Sequence, residues 1–196
     1  MSESMYTPKQ LNLLIVAPDQ EFLHLIKAII AVGRHNYSLA DNIAEGFALA
    51  KAKRPDVILA TSTRGDSGSQ LCQQVRQDVE LADTPFVLMT TSDRQAYPGY
   101  FELGCDQIVP IPFKCAEIFA AIDEARTQSR NGGNDKIHVL YQTGQAAFVE
   151  PTRLDLLLAR REILCFRRTS GLAVVGRDPI RAGKRTNYPG PERRMA

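Results

Sequence analysis

Arg54-Pro55-Asp56-Val57-Ile58-Leu59-Ala60-Thr61 is the stretch that decides the fold. Pro55 disfavours continuation of a preceding helix. Val57 to Ala60 then run apolar without alternation, the pattern of a strand covered on both faces. Four similar runs surround it: Leu11 to Val16, the weaker Tyr37 to Ala40, Phe86 to Thr90, and Asp106 to Pro110. Between them lie helical spacings. Phe22, Leu25, Ile26, Ile29 and Ile30 follow the acidic opening Pro18-Asp19-Gln20-Glu21 and stop at Gly33. Ile43, Phe47, Leu49 and Ala50 mark a second helix; Leu71, Cys72 and Val75 a third; Ile118, Phe119, Ile122 and Ala125 the last. Residues 93–103 look helical but contain Tyr97-Pro98-Gly99, which predicts a helix shortened, bent or replaced by a turn. Five βα units imply an α/β, doubly wound, five-stranded parallel sheet with flavodoxin-like order, because right-handed crossovers place helices on both faces.

Beyond the turn-rich residues 131–135 the pattern changes. Ile137 to Tyr141 and Ala146 to Val149 bracket a Gln-Thr-Gly-Gln turn. A helix opens at Pro151, and Ile163 to Phe166 and Leu172 to Val175 read as a second hairpin. The expected organisation is an N-terminal tail (1–10), an α/β domain (11–130), a hinge (131–135), a small α+β module of order ββαββ (136–176) and an extended basic tail (177–196). A module of this size is marginal alone, so it packs on the first domain or pairs with a second copy.

The chain has 196 residues, 44% hydrophobic and 23% charged, which excludes a disordered, collagen-like or membrane-spanning chain. The net charge of +2 is a cancellation. Residues 1–130 hold 12 Lys and Arg against 16 Asp and Glu, net −4, whereas residues 131–196 hold 12 against 6, net +6. The polar start, Met1-Ser2-Glu3-Ser4, has no signal-peptide pattern, so a cytoplasmic protein is expected. Cys72, Cys105, Cys115 and Cys165 form no metal-ligand spacing and read as buried, reduced thiols.

Five segments in order carry a resemblance. They are Arg54-Pro55-Asp56, Gly65-Asp66-Ser67-Gly68, Ala82-Asp83-Thr84-Pro85, Gly104-Cys105-Asp106, and Pro110-Ile111-Pro112-Phe113. Across about two thirds of the chain they resemble the receiver domain of bacterial response regulators (CheY-like). The resemblance implies an acidic pair holding Mg²⁺ after the first strand, a phosphoacceptor aspartate ending the third, a Ser or Thr on the fourth, and a lysine after the fifth. Those positions fall on Ala17 and Pro18, on Thr61, on Thr90 and on Ile111. Only Thr90 keeps its type. Asp19 is acidic but one place late. The expectation is therefore a degenerate pseudo-receiver in a two-component setting, with no enzymatic activity, metal or cofactor, that signals through protein partners. The family's commonly used partner face carries Tyr97, Tyr100 and Phe101 here, the candidate partner surface. Arg160, Arg161, Arg167, Arg168, Arg177 and Arg181 are candidate anion contacts. They leave open a nucleic-acid-binding regulator, docking of the basic module on the acidic domain, and a homodimer; a phospho-receiver with a displaced site is a further alternative.

Overall fold

The computed structural model describes residues 10–62, 67–131, 136–168 and 171–180. The first sheet comprises β1 (Asn12–Val16), β2 (Asn36–Ala40), β3 (Val57–Ser62), β4 (Phe86–Thr90) and β5 (Gln107–Pro110), all parallel, in the order β2-β1-β3-β4-β5. Helices α1 (Gln20–Val32), α2 (Ile43–Lys53), α3 (Ser67–Gln77), α4 (Tyr97–Glu102) and α5 (Cys115–Asn131) join and follow these strands. Alternate residues of β3 serve opposite cores. Ile58 and Ala60 pack with Leu71, Val75 and Leu88, while Val57 and Leu59 pack with Ile26, Ile30, Ile118 and Ile122. That two-sided burial is why the strand reads as an uninterrupted apolar run.

Local chemistry sets the helix ends. The Asp19 carboxylate accepts from Phe22 N at 3.0 Å to open α1, and Asn42 Oδ1 accepts from Glu45 N at 2.9 Å to open α2. Gly33 ends α1 with an ordinary φ of −76°, and Arg34 takes the left-handed turn at φ 56°. The Pro98 region resolves into a 3₁₀ turn at Arg94–Ala96 followed by the six-residue α4. Pro98 sits in the first turn of α4, where a missing N–H breaks no helical bond.

The second sheet is antiparallel, with β6 (Ile137–Tyr141), β7 (Ala146–Val149), β8 (Ile163–Arg168) and β9 (Gly171–Val174) in the order β7-β6-β8-β9, and α6 (Pro151–Ala159) between its hairpins. One face of this sheet packs Val139, Ile163, Phe166 and Ala173 against Leu154 and Leu157 of α6. The other face lies on the first domain, where Leu140, Ala146 and Cys165 share a core with Tyr97, Phe101 and Ile108. The seam is hydrogen-bonded as well. Gln107 Nε2 donates to Ala146 O at 2.9 Å, and Ala146 N donates to Gln107 Oε1 at 3.0 Å. Ile108 N donates to Gly144 O at 3.1 Å. Gly144 has φ +92°, and a Cβ there would lie 2.6 Å from Ile108 O, so this close approach requires glycine.

Two expectations change. The start of the basic tail is not free: Ile180 packs on the α6-side core, and Asp178 Oδ2 accepts from Val174 N at 2.8 Å. Of the four cysteines, Cys115 is exposed at the start of α5, while the other three are buried thiols. Residues 132–135 of the expected hinge and 181–196 of the expected tail lie outside the described residues.

Gln107 is 1% exposed, and its amide satisfies both backbone groups of Ala146. Gln107→Leu strands those two buried groups and lowers unfolding stability by about 2–4 kcal/mol. Gln145→Ala, at an exposed position nearby, changes it by less than about 0.5 kcal/mol. Urea denaturation of both variants checks the difference.

Candidate functional site

The carboxyl ends of the parallel strands form one shelf, since Val16 pairs Ala60, Ser62 pairs Thr90, and Thr90 pairs Pro110. Such a shelf is where open α/β sheets gather their ligands. Ala17 is buried just past β1 and donates its N–H to Ala40 O at 3.0 Å. Pro18 is exposed beside it. Thr61 is buried within β3, and Ile111 follows β5, donating its N–H to Thr90 O at 2.8 Å. The Ile111–Pro112 peptide bond is cis. The Ile111 side chain packs on the α1–α5 side core, with Phe22 and Phe113.

The shelf thus brings Ala17, Thr61, Thr90 and Ile111 together, with no charged side chain among the four. A cavity of about 400 Å³ is lined by Val16, Pro18, Ile43 and Thr61, with Asp41 and Asn42 also on its lining. Thr90 is fully buried; its hydroxyl donates to Ser62 O at 3.0 Å and accepts from Ser92 N at 3.0 Å. Both bonds hold it within the protein. Helix α3 presses on the end of β3, so closely that a Cβ on Gly68 would come 2.5 Å from Thr61 O.

A Mg²⁺ ion needs carboxylate oxygens, and Ala17 and Pro18 supply none. Asp19 caps α1, and Asp41 Oδ1 accepts from Asn42 Nδ2 at 2.6 Å. Among the described residues, no three His, Cys, Asp or Glu side chains gather into a metal-binding group. The residues present do not fit the ion that the receiver resemblance implies. Asp66 lies outside the described residues.

The candidate partner surface is corrected by the structure. Tyr97, Tyr100 and Phe101 are only 2%, 8% and 0% exposed. The chain's own second sheet covers this face: Arg167 Nη2 donates to Phe101 O at 2.9 Å, and its guanidinium lies 5.3 Å from the Phe101 ring centre. Tyr100 Oη and Ser92 Oγ share a hydrogen bond of 2.9 Å.

Among the described residues, the candidate arginines have different surroundings. Arg167 is engaged at the seam, Arg160 pairs with Glu162 at 3.7 Å, and Arg177 pairs with Asp178 at 3.5 Å. Arg161 takes a left-handed backbone past α6, Arg168 is exposed at the end of β8, and Arg181 lies outside the described residues.

Sequence reading missed two structural clusters. Arg76 donates to Ala82 O, Thr84 O, Gly104 O and Asp106 Oδ2, at 2.7–2.9 Å, and Asp106 Oδ2 also accepts from Phe86 N. This clamp ties α3 to the turns before β4 and β5. The only sequence signal was Asp106 within Gly104-Cys105-Asp106. The second cluster is His138, whose ring lies 4.4 Å from those of both Phe101 and Phe148, stacked on the latter at 10°. Burial, and then the nearby Arg167 charge, pull the His138 pKa down to about 4.

Comparison with known proteins bears on the family and the fold. No protein-family model matches the chain. Protein PilH of Pseudomonas aeruginosa is 30% identical over 85 residues, covering 43% of this chain and 70% of PilH. Histidine kinase P4 of Formosa agariphila is 21% identical over 167 residues, which is 83% of this chain but 12% of that protein. The chain therefore spans only a small part of the kinase's length. Among solved structures, the CheY-like response regulator receiver domain protein of Methanospirillum hungatei JF-1 superposes with a TM-score of 0.56 at 17% identity. The match covers 64% of this chain and all of that domain.

The low His138 pKa has a definite sign. The unfolded histidine takes up a proton near pH 6.5, whereas the folded one resists it down to about 4. Stability is therefore full above about pH 6.5 and falls as the pH drops towards about 4. Denaturation at about pH 7.5 and 4.5 should reveal a loss of roughly 2–3 kcal/mol from this residue, which His138→Phe removes from the pH profile.

Proposed function

From the premise that this chain belongs to the response-regulator receiver (CheY-like) family, we propose that it signals as a pseudo-receiver, through protein contacts that need no phosphorylation. The carrying observation is the shelf at the strand ends. Phosphoryl transfer to an acyl acceptor requires a carboxylate nucleophile, a cation to hold the phosphoryl oxygens, and a positive group to balance the new charge. The corresponding positions hold Thr61, the Ala17–Pro18 pair, and Ile111, whose side chain serves the core. Thr90 keeps the hydroxyl, but its proton is donated to Ser62 O.

On this reading the protein turns over no substrate and takes its place in a two-component pathway by binding other proteins. A cytoplasmic location accords with this role. Among the described residues, no helix is long and apolar enough to cross a membrane. The seated second sheet supports a constitutive role, because it fills the α4–β5 side with side chains of the same chain.

Titration with Mg²⁺ and beryllofluoride, followed by amide NMR, tests the proposal. The amides of Ala17, Thr61, Thr90 and Ile111 should not shift, and Thr61→Asp alone should not change that, since the cation ligands and the lysine are still missing. Shifts clustered on those amides in the unaltered protein would overturn it.

A further inference from the structure

A second concavity, of about 590 Å³, lies where the two domains meet. One wall is the 3₁₀ turn and α4, with Arg94, Pro98, Gly99 and Glu102; the other is β8, β9 and the turn after them, with Leu164, Leu172, Val174 and Arg177. Neither domain has this groove alone. It exists because the second sheet is seated beside α4.

We infer that this groove is a docking site for an extended segment of a partner protein that carries a bulky apolar side chain beside an acidic one. The inference rests on the reading of the chain as a protein-binding module. Three features point to that occupant. First, the walls are apolar: Leu164, Leu172 and Val174 are only partly buried by the core they pack on. Second, Gly99 leaves the α4 wall open. A Cβ built there meets no atom within 4 Å, and its backbone is not left-handed. Glycine inside a helix costs about 0.5–1 kcal/mol relative to alanine, and the surrounding fold gives no steric reason for it. Space in the groove is what it supplies.

Third, the rim is positive. Arg94, Arg177 and one acid, Glu102, line it, and Asp178 lies beside Arg177. Arg94 makes no ion pair among the described residues, and the Arg177 side chain is 70% exposed despite its long contact to Asp178. This charge argues against the chain's own C-terminal residues, where Arg181, Lys184, Arg185, Arg193 and Arg194 stand against Glu192. The mode of entry is also constrained. Val174 N donates to Asp178 Oδ2, and Val174 O accepts from the N–H groups of Arg177 and Asp178. The free edge of β9 is plugged at that point, so a partner enters with side chains rather than as an added strand.

The test is to pan the full-length protein against phage-displayed random dodecapeptides and to measure the enriched peptides by fluorescence anisotropy. Enriched sequences should pair Asp or Glu with Leu, Ile, Phe or Trp. Their affinity should fall roughly tenfold or more for Gly99→Trp, which fills the groove, and for the double variant Arg94→Glu, Arg177→Glu. The surface double variant decides the matter if Gly99→Trp does not fold by circular dichroism. Absence of enrichment, enrichment without acidic residues, or unchanged binding to the folded variants would overturn the inference. So would a concentration-dependent dimer in sedimentation equilibrium that Gly99→Trp abolishes, since the occupant would then be a second copy. The beryllofluoride titration reads the strand ends alone, so failure there is distinguishable from failure here.

Discussion

The amide of Gln107 is the constraint on which the arrangement of the two sheets depends. It sits on β5, an edge strand of the parallel sheet, at a position buried on both sides. A buried amide is costly unless both its ends are bonded, and Ala146 supplies a donor and an acceptor in the required places. Ile108 adds a third bond to the same hairpin through Gly144 O. The edge of the parallel sheet is thereby covered by the chain itself, which also removes an exposed template for strand pairing. Once this hairpin is in place, β8 follows across α4, Arg167 reaches Phe101 O, and His138 enters its aromatic sandwich.

The strand-end shelf is not what holds this receiver fold together. Stability comes from the two cores that sandwich the sheet and from the Arg76–Asp106 clamp, none of which includes Thr61. Thr61 and Ala17 are buried by neighbours of ordinary packing, and Ile111 contributes apolar surface where a lysine would have to keep its charge in water. Ala17, Thr61 and Thr90 are buried there, while Pro18, Asp41 and Asn42 stay exposed around the cavity at the strand ends.

Much of the fold was legible because its signals are local. The apolar run at Val57 to Ala60 and the helix opening at Asp19 each depend on a few adjacent residues. What was not legible depends on distant pairs. Tyr97, Tyr100 and Phe101 look like interface anchors until β8 is placed over them, and Gln107 meets its partner 39 residues away. Gly33 was legible as the stop of α1, but its reason was not: Arg34 takes the left-handed turn, and a Cβ on Gly33 would lie 2.5 Å from Phe119 Cε1. Which face each candidate arginine takes is likewise not legible in sequence: folding sends Arg167 to the seam and gives Arg160 and Arg177 acidic neighbours.

The central claim is that the second sheet is seated on the α4–β5 face as a fixed part of the receiver fold. Native-state hydrogen exchange at the Ile108 and Ala146 amides, two backbone N–H groups that bond across the seam, measures this directly. If the sheet is fixed, both amides exchange only through an opening as costly as the one that frees the amides of β3 and β4, with or without Mg²⁺ and acetyl phosphate. Exchange through a cheaper opening, or exchange accelerated by acetyl phosphate, would contradict it.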